Sequence, residues 1–140
     1  MFDNIYIIIS AGNNMGKTFF DKNIIEEAHK NNFFRKVLYT GKNSQVVVMS
    51  LLPGENIGME VHKKYDQVLV NVTGKGVCIL GGKKMPFVEG LLVYVPKGVW
   101  HNFINTGKTK LKLFTMYSPP NHKPSTIHKT KADAMRLEKD

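Results

Sequence analysis

Apolar and polar positions change period along the chain. A helical pattern covers residues 23–30, and from Phe34 to Tyr117 the pattern becomes that of strands. Strand-like segments over 35–39, 46–52, 68–72, 77–80, 91–95, 100–104 and 111–117 each run into a breaker. The breakers include Gly41, Pro53-Gly54, Thr73-Gly74-Lys75-Gly76, Gly81-Gly82, Pro96-Lys97-Gly98, Asn105-Thr106-Gly107 and Pro119-Pro120. Short strands at this even spacing, with no long helical period between them, predict an all-β barrel or sandwich. After Pro120 the chain turns polar, and residues 129–138 read as a short helix capped by Thr130, with Asp133 at the fourth position and Ala132, Ala134 and Leu137 for packing. The expected organisation is an N-terminal arm with a short helix (1–33), a β-barrel (34–118) and a polar tail with a short C-terminal helix (119–140).

Composition narrows the class. At 140 residues and 42% apolar content the chain suits one core, and its 22% charged residues and 8 phenylalanines argue against disorder. A single cysteine, Cys78, excludes an internal disulfide and a thiolate-rich zinc site; between Val77 and Ile79 it reads as a buried, inert thiol. The net charge of +9 favours anionic ligands, but the lysines are scattered in pairs such as Lys63-Lys64 and Lys83-Lys84, with a looser cluster from Lys123 to Lys139. No nucleic-acid module accompanies them, so solvated faces are expected and no specific nucleic-acid partner. No apolar run approaches the ~20 residues of a membrane span, and the run 5–9 lacks a basic flank and a cleavage site, so no membrane partner and a cytoplasmic location are expected.

Residues 11–18 fit the spacing of a phosphate loop, ending in Gly16-Lys17-Thr18. Such a loop works on a parallel α/β sheet, which the rest of the chain does not predict; residues 1–20 read instead as an edge strand, a swapped arm or a leader.

The chemistry concentrates in the middle zone. On a strand, Glu60 and His62 point to one face, with Met59 and Val61 on the other. Gln67 opens the next strand, and His101 follows the turn at Pro96-Lys97-Gly98. A pair on one strand, one group on its hairpin partner and one from a distant strand can aim four ligands into a barrel. Two imidazoles, a carboxylate and an amide oxygen suit Fe(II), Mn(II), Ni(II), Co(II) or Zn(II), a divalent transition metal ion with open positions, and not Cu(I). Asp66 is chemically the better ligand than Gln67, but strand alternation turns it away. Trp100 and Phe103 are expected to pack the barrel, with Phe103 on the face of His101 lining the pocket. His122 and His128 read as solvated tail residues, unless the tail folds over the barrel mouth.

The run Gly90-x5-Pro96-x-Gly98-x2-His101-x3-Asn105 resembles the complete second motif of the cupin superfamily. The first cupin motif is matched in spacing by Gly54, Glu60, His62, Gln67 and Gly74, with Glu60 and Gln67 changed in type. The tail resembles that of small, single-domain cupins labelled mannose-6-phosphate isomerase-like. This resemblance implies a double-stranded β-helix (jelly-roll barrel) and a metal held by Glu60, His62, Gln67 and His101. It implies a metal-dependent isomerase, epimerase or lyase acting on a small polar, sugar-like or anionic substrate. Alternatives are an Fe(II)-dependent dioxygenase and a non-catalytic small-molecule binding or sensing protein. Tyr65, Asp66, Tyr117 and His122 are the candidate proton-transfer residues. A homodimer is expected, with the 5–9 run as an exchanged arm.

Overall fold

Asn23 opens the first described helix: its side-chain oxygen accepts from the Glu26 amide at 3.0 Å, so the expected helix begins one residue later as α1 (Ile24–Lys30). Glu26 and Glu27 in its first turn and His29 and Lys30 in its last complement the helix dipole. The coordinates are a computed structural model, and the structure describes residues 19–138. The 5–9 run and the whole phosphate-loop-like stretch 11–18, with the dimerisation role assigned to the arm, lie outside the described residues.

Nine antiparallel strands follow in the described chain: β1 (Arg35–Thr40), β2 (Gln45–Leu51), β3 (Asp66–Thr73), β4 (Gly76–Leu80), β5 (Lys83–Phe87), β6 (Leu92–Val95), β7 (His101–Asn105), β8 (Leu111–Ser118) and β9 (Ile127–His128). They form a six-stranded sheet in the order β6-β3-β8-β2-β1-β9 and a three-stranded sheet in the order β5-β4-β7. The all-β fold with two short helices is as the sequence predicts.

Alternation builds the core. Val47, Met49 and Leu51 of β2, Leu111 and Leu113 of β8, and Leu69 of β3 face inward to meet Cys78, Phe87 and Phe103. On the outer face of the larger sheet Val48, Val72 and Phe114 receive Ala28 and Ile24 of α1. Each such side chain, fully buried, contributes roughly 1.5–3 kcal/mol. The inner face also carries polar residues, all buried: Gln45 of β2, Gln67 of β3 and Thr115 of β8. Gln45, Tyr117 and Gln67 lie in one cross-strand row, and Arg35 stands opposite the inward Met49.

Two strands escaped the sequence pattern. β5 carries exposed Lys83, Lys84 and Pro86, and a proline is tolerated there because β5 is an edge strand. β9 has two residues. Trp100, expected in the barrel, is 55% exposed, because it sits in the turn before β7 and not on the strand. The tail helix α2 (Lys131–Leu137) has the expected cap, the Asp133 amide donating to Thr130 Oγ1 at 3.0 Å. Of its three expected packing residues only Ala134 is buried.

Candidate metal centre and adjoining cavity

Glu60 and His62 are not in a regular strand. Residues 54–60 run beside β7 on separate bonds: the Gly54 amide donates to the Asn105 carbonyl at 3.0 Å and the Ile57 amide to the Phe103 carbonyl at 3.0 Å. At the end of this run Glu60 and His101 exchange backbone bonds, at 2.9 and 2.8 Å, which sets their side chains on one face. The Gly98 amide, at φ +87°, donates to the His62 carbonyl at 2.7 Å, so the turn before β7 also fixes the backbone of His62. A side chain is strained at that φ, which is why glycine stands there.

Nε2 of His62 lies 3.0 Å from Oε2 of Glu60, and the His62 and His101 rings are 4.9 Å apart. One ligand atom from each of Glu60, His62 and His101 falls within 4.8 Å of the others, so the three could hold one metal ion. Both imidazoles are oriented from outside. Nδ1 of His101 lies 2.9 Å from the Val99 carbonyl, which can only accept, so Nδ1 carries the proton and Nε2 keeps its lone pair. Nδ1 of His62 lies 2.6 Å from the Tyr65 hydroxyl. Burial holds His101 below its ordinary pKa, with the nearby His62 acting in the same direction and the Val99 carbonyl and Glu60 opposing. A neutral imidazole is the form that ligates.

Gln67 is 3% exposed. Its Nε2 donates to Thr115 Oγ1 at 3.0 Å, and its buried Oε1 has no hydrogen-bond partner. As the cross-strand neighbour of Tyr117, it shares that residue's inward face. Asp66, one residue earlier, is not brought to the site. It accepts from the Tyr94 hydroxyl at 2.6 Å and the Lys97 amide at 2.8 Å on the outside, and these bonds hold its carboxyl below the usual range.

A cavity of about 140 Å³ opens beside the cluster, lined by Glu60, His62, Tyr65 and Tyr117 and, on its far side, by Arg35, His122, Lys131 and Glu138. Phe103 is not among the lining residues; it packs in the core against Phe87, ring centroids 4.9 Å apart, since its strand position faces the other sheet. Burial pushes the Tyr117 hydroxyl up to about 12, so it stays protonated.

The tail histidines are buried and not solvated, because Gln45 pins the tail over the barrel mouth. Its Oε1 accepts from the amides of Asn121 (3.2 Å) and His122 (3.0 Å), while its Nε2 donates to the His122 carbonyl (2.7 Å). Nδ1 of His122 is hydrogen-bonded to Glu138 Oε1, and Nε2 of His128 lies 3.5 Å from Glu138 Oε2. The Arg35 guanidinium reaches His128 Nδ1 at 3.1 Å; since arginine only donates, that nitrogen accepts, and the His128 proton sits on Nε2 facing Glu138. Burial, and after it the charge of Arg35, hold both His122 and His128 below the ordinary value. Sequence reading missed Arg35, Gln45 and Glu138. The available signal was phase: Arg35 and Gln45 stand two positions before inward-facing Val37 and Val47.

The cupin domain model matches residues 47–117, and the chain belongs to the cupin family. It is 46% identical over 122 residues to the uncharacterised protein YrkC of Bacillus subtilis, covering 83% of this chain and 66% of that protein, just under two thirds of its length. The crystal structure of BH2720 from Bacillus halodurans superimposes with a TM-score of 0.85 at 37% identity, over 90% of this chain and 100% of the other. A predicted oxalate decarboxylase from Thermotoga maritima matches at TM-score 0.53 and 27% identity, over 55% of this chain and 67% of that one. Among the described residues no helix is long and apolar enough to cross a membrane.

Proposed function

We propose that the protein is a metal-dependent enzyme of isomerase, epimerase or lyase type acting on a small polar, anionic substrate. In this reading Glu60, His62, His101 and Gln67 hold a divalent transition metal ion. The observation that carries it is the Gln67 amide: an acceptor buried without a partner costs about 1–3 kcal/mol, and Oε1 of Gln67 stands in that condition on the inward face. A ligated cation would satisfy it, and two imidazoles with one carboxylate complete a donor set suited to iron, manganese, nickel, cobalt or zinc. When bound, such an ion supplies a Lewis acid that polarises a hydroxyl or carbonyl oxygen.

The protein's own groups divide the remaining work. The Val99 carbonyl and the Tyr65 hydroxyl orient the two imidazoles. If His62 held the ion through Nε2, its Nδ1 would carry the proton and donate to the Tyr65 oxygen, 2.6 Å away. Tyr117 keeps its proton and lines the cavity, its hydroxyl oxygen accepting from Arg35. His122 is the proton acceptor in this scheme. Burial keeps it neutral and Glu138 holds the proton on Nδ1, so Nε2 has a lone pair whose one bond among the described residues is a 3.3 Å contact with Asn121.

The test is turnover of a panel of small hydroxy and sugar acids by metal-free and metal-restored protein. Turnover that needs the metal and falls in His122→Gln supports the proposal; binding without turnover under every metal contradicts it and leaves a binding protein. The two-histidine, one-carboxylate set also suits an Fe(II) oxygenase, in which case the iron-loaded protein would consume oxygen and the zinc-loaded protein would not.

A further inference from the structure

The cavity has a second polar wall that the metal cluster does not explain. Arg35 lines it, is 6% exposed, and has a buried Nε without a hydrogen-bond partner. Among the described residues no carboxylate lies within 4 Å of its guanidinium; its nearest charged relation is indirect, through His128 to Glu138. Besides His128 Nδ1, the Tyr117 hydroxyl accepts from the guanidinium, so Nε is the donor left unpaired; a buried cation with a spare donor and no direct counter-ion is costly to leave so. Lys131, the first residue of α2, lines the same side of the cavity.

We propose that Arg35 is the carboxylate-binding residue of the cavity, holding the acidic end of a short hydroxy acid whose oxygen-bearing carbons reach Glu60 and His62. This deepens the reading above and rests on it for the far end of the ligand. The two ends belong to one space: the His62 and His122 rings pack against Tyr117 from 6.4 and 5.1 Å, and all three residues line the cavity. A carboxylate is favoured over a phosphate on two grounds. The planar guanidinium fork matches a planar carboxylate in two parallel bonds. The cavity already contains the carboxylates of Glu60 and Glu138, so a dianion meets more repulsion there than a monoanion. Lys131, in the same lining, adds attraction without direction.

The experiment is calorimetric titration of the full chain, stripped of metal, with glycerate, with inorganic phosphate and with uncharged glycerol. The expected result is saturable binding of glycerate, weaker binding of phosphate, none of glycerol, and at least a tenfold loss of glycerate affinity in Arg35→Gln. Arg35→Lys keeps the charge and loses the fork, so it binds glycerate more weakly than the wild type but more tightly than Arg35→Gln. It also carries the test if Arg35→Gln fails to fold. Lys131→Ala loses less than either. Metal reloading of each variant, read by elemental analysis, stays at the wild-type level. Glycerate binding that is absent from the wild type, or unchanged in Arg35→Lys and Arg35→Gln, overturns the proposal; phosphate binding tighter than glycerate overturns the carboxylate assignment. Since the titration is made without metal, failure of the metal reading would appear in the elemental analysis alone.

Discussion

The two walls of the cavity are held in place by different means. At the Glu60 end, position comes from backbone ladders: Glu60 is opposite His101 through two reciprocal bonds, and Gln67 is in register between Tyr117 and Val95. At the Arg35 end the backbone ladder to the tail is short, Arg35 opposite His128 and Lys36 opposite Ile127, and the stretch before β9 is held by a side chain, the buried amide of Gln45 gripping Asn121 and His122. Ladder-set residues are fixed wherever the barrel folds, whereas residues set by one side chain can be released without unfolding it. The two ends should therefore fail separately.

Removing the metal should give the largest effect. A ligand present at 100 to 1,000 times its dissociation constant stabilises by about 2.7–4.1 kcal/mol, so chelation should lower the unfolding temperature of the wild type by that equivalent and leave Glu60→Ala unmoved. A comparable chelator effect in Glu60→Ala would break the assignment of the cluster. Next comes Gln45→Ala, which strands two tail amides and costs about 1–3 kcal/mol, read by denaturant unfolding. Its metal content should equal that of the wild type, and limited proteolysis should cut the tail after Lys123 faster; coupled loss of metal would mean the two ends are one unit.

Tyr65→Phe removes the hydroxyl that orients His62 and should weaken metal binding at the lower end of the ~10–100-fold range seen for such outer partners, measured by competition with a chromophoric chelator. A pH effect comes from the tail end. His122 and His128 are held neutral, below their ordinary 6.5, so below about pH 6.5 the unfolded chain takes up protons that the folded chain does not, and stability falls with pH. Thermal melts from pH 8 to 5 should show this decline, flattened in the His122→Gln, His128→Gln double variant. Smallest is Asp66→Asn, which should leave metal content unchanged because Asp66 bonds outward to Tyr94 and Lys97.

How much of this could be read from the chain follows the same division. The start of α1, the cap at Thr130, most strands and the turn before His101 are local signals, and each lies within one or two residues of where the pattern puts it. Glu60 and His62 were legible as a pair, although the segment that carries them follows β7 by scattered bonds instead of forming a strand. The tail end was not legible, since nothing near His122 or His128 marks them as buried. Their surroundings come from Arg35 and Gln45, 93 and 77 residues away in sequence, and from Glu138 on the far side of α2. Trp100 misled for a related reason: it adjoins a strand, and one residue decides whether a side chain joins the core or the turn.

The central claim is that Glu60, His62, Gln67 and His101 hold a metal. Elemental analysis of untagged protein by inductively coupled plasma mass spectrometry, for the wild type beside Glu60→Ala and His101→Ala, tests it most directly. The account predicts near-stoichiometric divalent transition metal in the wild type and its loss from both variants. A wild type that stays metal-free after reconstitution, or variants that load as fully as it does, would contradict it.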